Sequence, residues 1–320
     1  MKKIAYIIGF RYSNDDDRRM DNLILTLKWL IEIKKCIVKH IDLQIIVIEQ
    51  DSKKKFNIAE NIQNELEYLF IYNDGYYNRG WAFNVGYKSF SADYYFFADG
   101  DIIMKNIDMI YVFTSCFKYE AVNPYEHIYD STKEYVTDPN FDPLIWKEPK
   151  NLSERTYTCF SGGIMGIEKN AMQIIAGWDE RFRGRGWEDY AFTAKIKLFL
   201  YSIHTYSFNA LHLWHPWEIN TTREINEKLN AEYERYHFDN YVDVIEMACE
   251  FGSPIKYASL HTIIKNHKYV MSESRYKYGY EQYKNAKKHH FHTKKIFLYL
   301  CEQLYQLQKN NSNSIKESGT

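Results

Sequence analysis

Short apolar runs alternate with segments of helical period along the first hundred residues, and few architectures accept that pattern. KIAYIIGF (3–10) reads as a buried strand. From Met20 the positions Leu23, Leu27, Leu30 and Ile31 share one helix face. LQIIVIE (43–49) reads as a second strand, and IAENIQNELEYL (58–69) as a short helix running into the strand LFIY. NRGWAFNVGYKSF (78–90) opens a helix after a Gly-bearing turn, and DYYFFA (93–98) is the next strand. Strand–helix alternation of this kind predicts an α/β chain with a parallel-rich sheet covered on both faces. Ligands of such sheets bind beyond the carboxyl ends of the strands. Arg11, Glu49, Asp99 and Asp101 all stand at such ends.

The run YYFFADGDIIM (94–104) is the most informative of these ends, because two carboxylates follow a buried strand with one glycine between them. Hard divalent cations that neutralise a diphosphate take oxygen ligands of this kind. Asp and Gly are also ordinary turn residues, and DxD alone does not decide between the two. His212 and His215 flank LW in HLWH, and two imidazoles in one short segment can share a Mn, Fe or Zn ion. A structural role is the alternative for each. GWEDYAF places Glu188 and Asp189 at the start of a helix whose stripe is Phe192, Ile196, Phe199 and Leu200. Burial against aromatic rings raises a carboxylate pKa toward the range of a general base. Acids are also common at helix starts because of the dipole. SGG (161–163) and GRG (184–186) allow turns or a close backbone approach, and neither is a phosphate-binding P-loop.

Residues 119–156 hold four of the six prolines and show little periodicity, which predicts a long irregular segment. After about residue 222 the chain turns charged and helical, with Lys, His and Tyr concentrated in 263–295. The expected division is a catalytic domain over 1–235 and a helical extension with a polar tail over 236–320. A formal charge of −1 argues against a general nucleic-acid binder. Cys36, Cys116, Cys159, Cys249 and Cys301 form no CxxC pair, which fits reduced thiols in a cytoplasmic setting. No stretch reaches the roughly 18 apolar residues of a spanning helix, and the first apolar run is too short for a signal-peptide core. The basic C-terminal region suggests peripheral contact with anionic lipid at the inner face of a membrane.

Taken together and in order, these elements resemble the β-1,4-galactosyltransferase family and its bacterial relatives of the chondroitin-polymerase type. FSGGIMGIEKNAMQIIAGWDERFRGRGWEDYAFTAKI is similar to the family's C-terminal signature. IIGFRYSNDDDRRMDNLILTL resembles its opening strand and arginine loop, VIEQ its second strand, YNRGWAFNVGY its FNR helix, FFADGDIIM its DxD strand, and HLWH its metal-binding MxxH. The match covers roughly residues 3–217. Gly9 stands in place of the family's proline, and GRGWED in place of GWGGED, so Arg185 replaces a tryptophan and Trp187 a glycine.

The resemblance implies a GT-A, Rossmann-like fold and a transferase that uses a nucleotide-diphospho-sugar. It implies Asp101 and His215 as ligands of Mn²⁺ or Mg²⁺, with His212 beside them where the family often has Met. Asp99 would lie near the ribose and diphosphate. Phe10, Arg11, Tyr77 and Arg79 would line the nucleotide, with Glu49 and Trp187 also on the donor side. Glu188 and Asp189 would face a saccharide or glycoconjugate acceptor, Asp189 as base. The expected reaction is inverting transfer of a hexose or N-acetylhexosamine from a UDP-sugar. A retaining enzyme of the polypeptide GalNAc-transferase type, a nucleotidylyltransferase and a non-catalytic sugar-binding module are the alternatives.

Overall fold

The computed structural model describes residues 1–12, 18–148, 153–156, 160, 162–184, 186–216, 222–235 and 278. Its first half runs β1 (Lys2–Phe10), α1 (Arg18–Ile37), β2 (Ile41–Asp51), α2 (Glu60–Gln63), β3 (Glu67–Tyr72), α3 (Arg79–Ser89) and β4 (Tyr94–Ala98). After β4 come β5 (Ile102–Met104), α4 (Asn106–Ser115), β6 (Ala121–Asn123), β7 (His127–Asp130), α5 (Lys133–Thr137) and β8 (Ser153–Thr156). The last elements are β9 (Ile164–Glu168), α6 (Lys169–Ile174), α7 (Glu188–Phe199), β10 (Ile203–Thr205), β11 (Asn209–His212) and α8 (Arg223–Arg235). The chain is thus α/β, as its alternation predicts.

Seven strands form the central sheet in the order β10-β6-β9-β4-β1-β2-β3. β1 pairs parallel with both β2 and β4, and β2 with β3, whereas β9 lies antiparallel between β4 and β6. The chain leaves β1 toward β2 on one side and returns on the other with β4. The switch point, where the strand order reverses, therefore lies between β1 and β4, and in open α/β sheets the ligand crevice lies beyond the carboxyl ends at that point. A second sheet, β5-β11-β7-β8, stands beside that crevice.

Alternation along β1 sorts the core into two layers. Ile4, Tyr6 and Ile8 face α1 and α4, packing with Leu23, Leu27, Leu30 and Phe113. Ala5 and Ile7 face α3 and α7, packing with Trp81, Val85, Phe192 and Ile196. Helix α3 is buried continuously from Gly80 to Tyr87, so it lacks the polar face of a surface helix. Helix α1 carries two buried polar residues among its apolar ones, Asn22 and Thr26. Asn22 Nδ2 donates to the carbonyls of Leu213 (3.3 Å) and Trp214 (3.0 Å), and Thr26 Oγ1 donates to that of Gly100 (3.0 Å). One turn of α1 thus holds both the DGD turn and the HLWH segment.

The segment 119–156 departs from expectation. It contains β6, which is fully buried in the central sheet, and also β7, α5 and β8. Strands of three or four residues are too short for a period to show, and their pairing partners lie far away in sequence. Helix α8 closes the expected catalytic unit against α7. The expected extension over 236–320 lies outside the described residues apart from Tyr278. No helix among the described residues is long and apolar enough to cross a membrane.

Candidate active site

The two carboxylates after β4 part company. Asp99 Oδ1 meets Arg79 Nε at 2.8 Å, and its Oδ2 accepts from the Gly163 amide at 3.1 Å. Asp101 turns the other way, with Oδ2 3.4 Å from His215 Nε2 and 3.8 Å from His212 Nε2. The motif suggests one cation between both aspartates. In the structure Arg79 answers the charge of Asp99, and Asp101 joins the imidazoles instead. Of the SGG glycines, Gly163 donates to Asp99, and the Gly162 carbonyl accepts from the Tyr125 hydroxyl (2.7 Å).

Asp101, His212 and His215 bring three ligand atoms within 4.8 Å of one another, the one such cluster among the described residues. Donors held at about 2.0–2.2 Å by one divalent ion are separated by about 3 to 4.4 Å. His215 Nδ1 lies 2.9 Å from the Pro216 carbonyl, which can only accept, so in the neutral imidazole Nδ1 carries the proton and Nε2 is the nitrogen left to ligate. His212 Nδ1 lies 2.8 Å from Asp130 Oδ1, and a neutral imidazole that donates there likewise leaves Nε2 to ligate. Two lone pairs and a carboxylate oxygen therefore converge, an arrangement that a cation relieves. The donor set fits a divalent ion such as Mn²⁺.

Hydrogen bonds tie the scaffold of this cluster together. Leu213 N donates to the Asp101 carbonyl (2.7 Å), Ser131 N to the His212 carbonyl (2.9 Å), and Trp214 N to Ser131 Oγ (2.7 Å). β7 and β11 pair in parallel with His212 opposite Asp130. That register is invisible in the sequence, which is why Asp130 escapes a reading by motif. Groups of this kind fix the ring and tautomer of a metal-binding His, and their removal typically costs about 10- to 100-fold in affinity. Asp130→Ala is expected to raise the Mn²⁺ dissociation constant by that factor in calorimetric titration with the metal alone. An unchanged constant would leave Asp130 with no role at the site.

On the α3 and α7 side of the crevice, Asn78 caps α3, its side chain accepting from the Trp81 amide (2.9 Å). Arg79, the first residue of α3, is 11% exposed, with its guanidinium 5.1 Å from the Phe83 ring centre and 5.7 Å from that of Trp178. Its Nη1 lies 3.5 Å from Glu188 Oε1, so this one cation joins the strand-end acid to the acid pair on α7. Burial works against its charge, but Asp99, Glu188 and Asp189 outweigh it and hold Arg79 firmly protonated. Glu188 and Asp189 open α7 as predicted. Burial, then the charge of Asp189, pushes the Glu188 carboxyl up to about 7, and burial also raises Asp189. Glu188 Oε2 is buried without a hydrogen-bond partner among the described residues. Trp187 caps the helix with φ 76°, a left-handed conformation that costs a bulky residue about 1–3 kcal/mol.

The remaining expected donor-side residues make the following contacts. Arg11 spends its guanidinium on the carbonyls of Gln50 (2.7 Å), Gly75 (2.5 Å) and Asn73 (2.6 Å), bracing the turn after β3. Glu49 accepts from the amides of Lys55 (2.7 Å) and Phe56 (3.0 Å) and from the Tyr68 hydroxyl, which organises the loop after β2. Phe10 is a core residue edge-on to Phe56. Tyr77 reaches across to β1, where a Cβ on Gly9 would collide with its hydroxyl. The glycine in place of proline thus makes room for Tyr77. Burial and the charge of Asp99 raise the Tyr77 pKa, keeping the phenol neutral.

No family model matches the chain, and no curated protein does. Among solved structures it is similar to a mutant of Drosophila β1,4-galactosyltransferase 7 in complex with manganese, UDP-Gal and xylobiose. That similarity stands at 15% identity over 71% of this chain and 79% of that one, with a TM-score of 0.42. It is also similar to residues 1–349 of S. aureus TarS, at 12% identity over 77% of this chain and 70% of that one, with a TM-score of 0.47.

Proposed function

We propose that this chain is a metal-dependent, inverting glycosyltransferase of GT-A type. It moves a hexose or N-acetylhexosamine from a UDP-sugar to a saccharide acceptor. The observation that carries the reading is the pairing of two devices across one crevice. Asp101, His212 and His215 converge with donor chemistry suited to a divalent cation, while Arg79 ties the neighbouring Asp99 to the acid pair of α7. The order of sequence elements that resembles the β-1,4-galactosyltransferase family supports the same assignment.

In this reading Asp101, His212 and His215 hold Mn²⁺ (or Mg²⁺), which when bound supplies Lewis-acid stabilisation of the leaving diphosphate. Asp189 takes the proton from the acceptor hydroxyl, and its raised pKa suits that task near neutrality. Glu188 orients a sugar hydroxyl through Oε2, the oxygen left without a hydrogen-bond partner among the described residues. The Arg79 charge opposes the upward shift of both acids and ties Glu188 to Asp99 at the end of β4.

The test is a panel of UDP-sugars offered to the purified protein with Mn²⁺, with and without saccharide acceptors, scored for UDP release. Release that requires both the metal and an acceptor is expected for at least one donor. No release above background from any donor, or equal release in EDTA, would overturn the assignment.

A further inference from the structure

The loop that delivers the acid pair is held from outside the region of resemblance. Gly184, Gly186 and Trp187 have φ values of 70°, 95° and 76°, so the backbone before α7 is committed to an unusual path. On one side Gly184 N donates to the Tyr77 carbonyl at 2.6 Å. On the other side stands α8. Its Asn226 is fully buried and meets the loop three times. Oδ1 accepts from Arg183 N (3.3 Å), and Nδ2 donates to the carbonyls of Arg183 (2.8 Å) and Gly186 (3.0 Å). Thr222, just before α8, fills the space that a side chain on Gly184 would need. Leu229 of α8 and Trp187 both pack against the buried pair Phe182 and Ala191, which stand on either side of the acids in sequence.

We infer that Asn226 is a positioning residue: by tying Arg183 and Gly186 to α8 it sets the path of the loop and hence the place of Glu188 and Asp189 opposite Arg79. A side-chain amide is suited to this because it donates and accepts at once, which matches a loop that offers one N–H and two carbonyls. Helix α8 then belongs to the working site, although the sequence elements of the resemblance end before it. The inference rests on the reading of Glu188 and Asp189 given above.

The experiment compares Asn226→Ala with the parent protein, both full length and well below their melting temperatures. Transfer kcat is expected to fall about 10- to 100-fold, with the donor KM and Mn²⁺–UDP affinity within about twofold. Tryptic cleavage after Arg183 should accelerate relative to other sites, because its amide and carbonyl lose their partners. Gly184→Ala, which must push Thr222 away while Asn226 is intact, should give the same pair of effects. Normal kcat in Asn226→Ala at these temperatures would overturn the inference even if the melting temperature drops, since a merely stabilising residue behaves that way. Unchanged cleavage after Arg183 would also overturn it. Should the parent protein transfer no sugar from any donor, the functional reading falls, and the cleavage comparison alone decides whether Asn226 holds the loop.

Discussion

Asp189→Asn is expected to lower sugar transfer by about 10²- to 10⁴-fold while Mn²⁺ and UDP binding stay near normal. The amide keeps the shape of the side chain but cannot take a proton from the acceptor hydroxyl. The acceptor loses that proton as the glycosidic bond forms, so the whole loss should appear in the transfer step. Glu188→Gln should behave differently, raising a sugar KM as well as slowing the reaction, because Glu188 is bound to Arg79 and offers an unpartnered oxygen. The pH profile separates the pair further. Burial raises both carboxyls, so the acid limb of the parent kcat should lie above the usual carboxylate range, with activity lost as pH falls through the raised Asp189 value. In Asp189→Asn the neighbouring charge that helps raise Glu188 is gone, and any residual limb should move to lower pH. If Asp189 merely decorates a helix start, the variant would show a small stability loss and full turnover. Full turnover in a folded protein would remove Asp189 from the chemistry.

Asp101→Ala and His215→Ala are each expected to weaken metal-dependent UDP binding by at least about 10²-fold. Loss of a supporting outer group already costs about 10- to 100-fold, and a direct ligand should cost more. Asp99→Asn is the informative control. A motif reading would treat it like Asp101→Ala, but Asp99 faces Arg79 and Gly163. It should retain metal binding and instead lower the melting temperature by leaving Arg79 short of a partner. Equal loss of metal binding in Asp99→Asn and Asp101→Ala would contradict the divergent placement of the two carboxylates. UDP affinity unchanged by EDTA in the parent would contradict the metal site itself.

Much of the fold is legible in the sequence alone. β1, α1, β2, α3 and β4 are long enough, or sharply enough bounded, for their periods to be read. The start of α7 follows from the stripe at Phe192 and Ile196. The convergence of Asp101 with His212 and His215 is legible only as an ordered set of elements that resembles a family. What stays hidden depends on partners distant in sequence. Asp130 matters because of a three-dimensional register with His212, Asn226 because α8 packs on a loop forty residues earlier, and Arg79 because burial forces it to find three acids. Strand-end position and the resemblance put Arg11 and Glu49 on the donor side, but neither hydrogen-bond partnership is written in a local pattern.

The bonds from Asn22 to the carbonyls of Leu213 and Trp214 span 191 and 192 residues of chain. On a ribosome, α1 is complete long before the segment it must grip exists. At about 5–20 residues per second, roughly 6 to 23 s pass between synthesis of Asp101 and of His215. During that interval β1 to β4 can pair with one another, Thr26 has its Gly100 carbonyl, and Arg79 can already meet Asp99. Asn22, however, has no Leu213 or Trp214 to donate to, and Asp101 has no imidazoles. The metal cluster therefore closes only after every strand of the central sheet has been made, and a nascent chain stalled before His212 should lack both imidazoles and with them metal affinity.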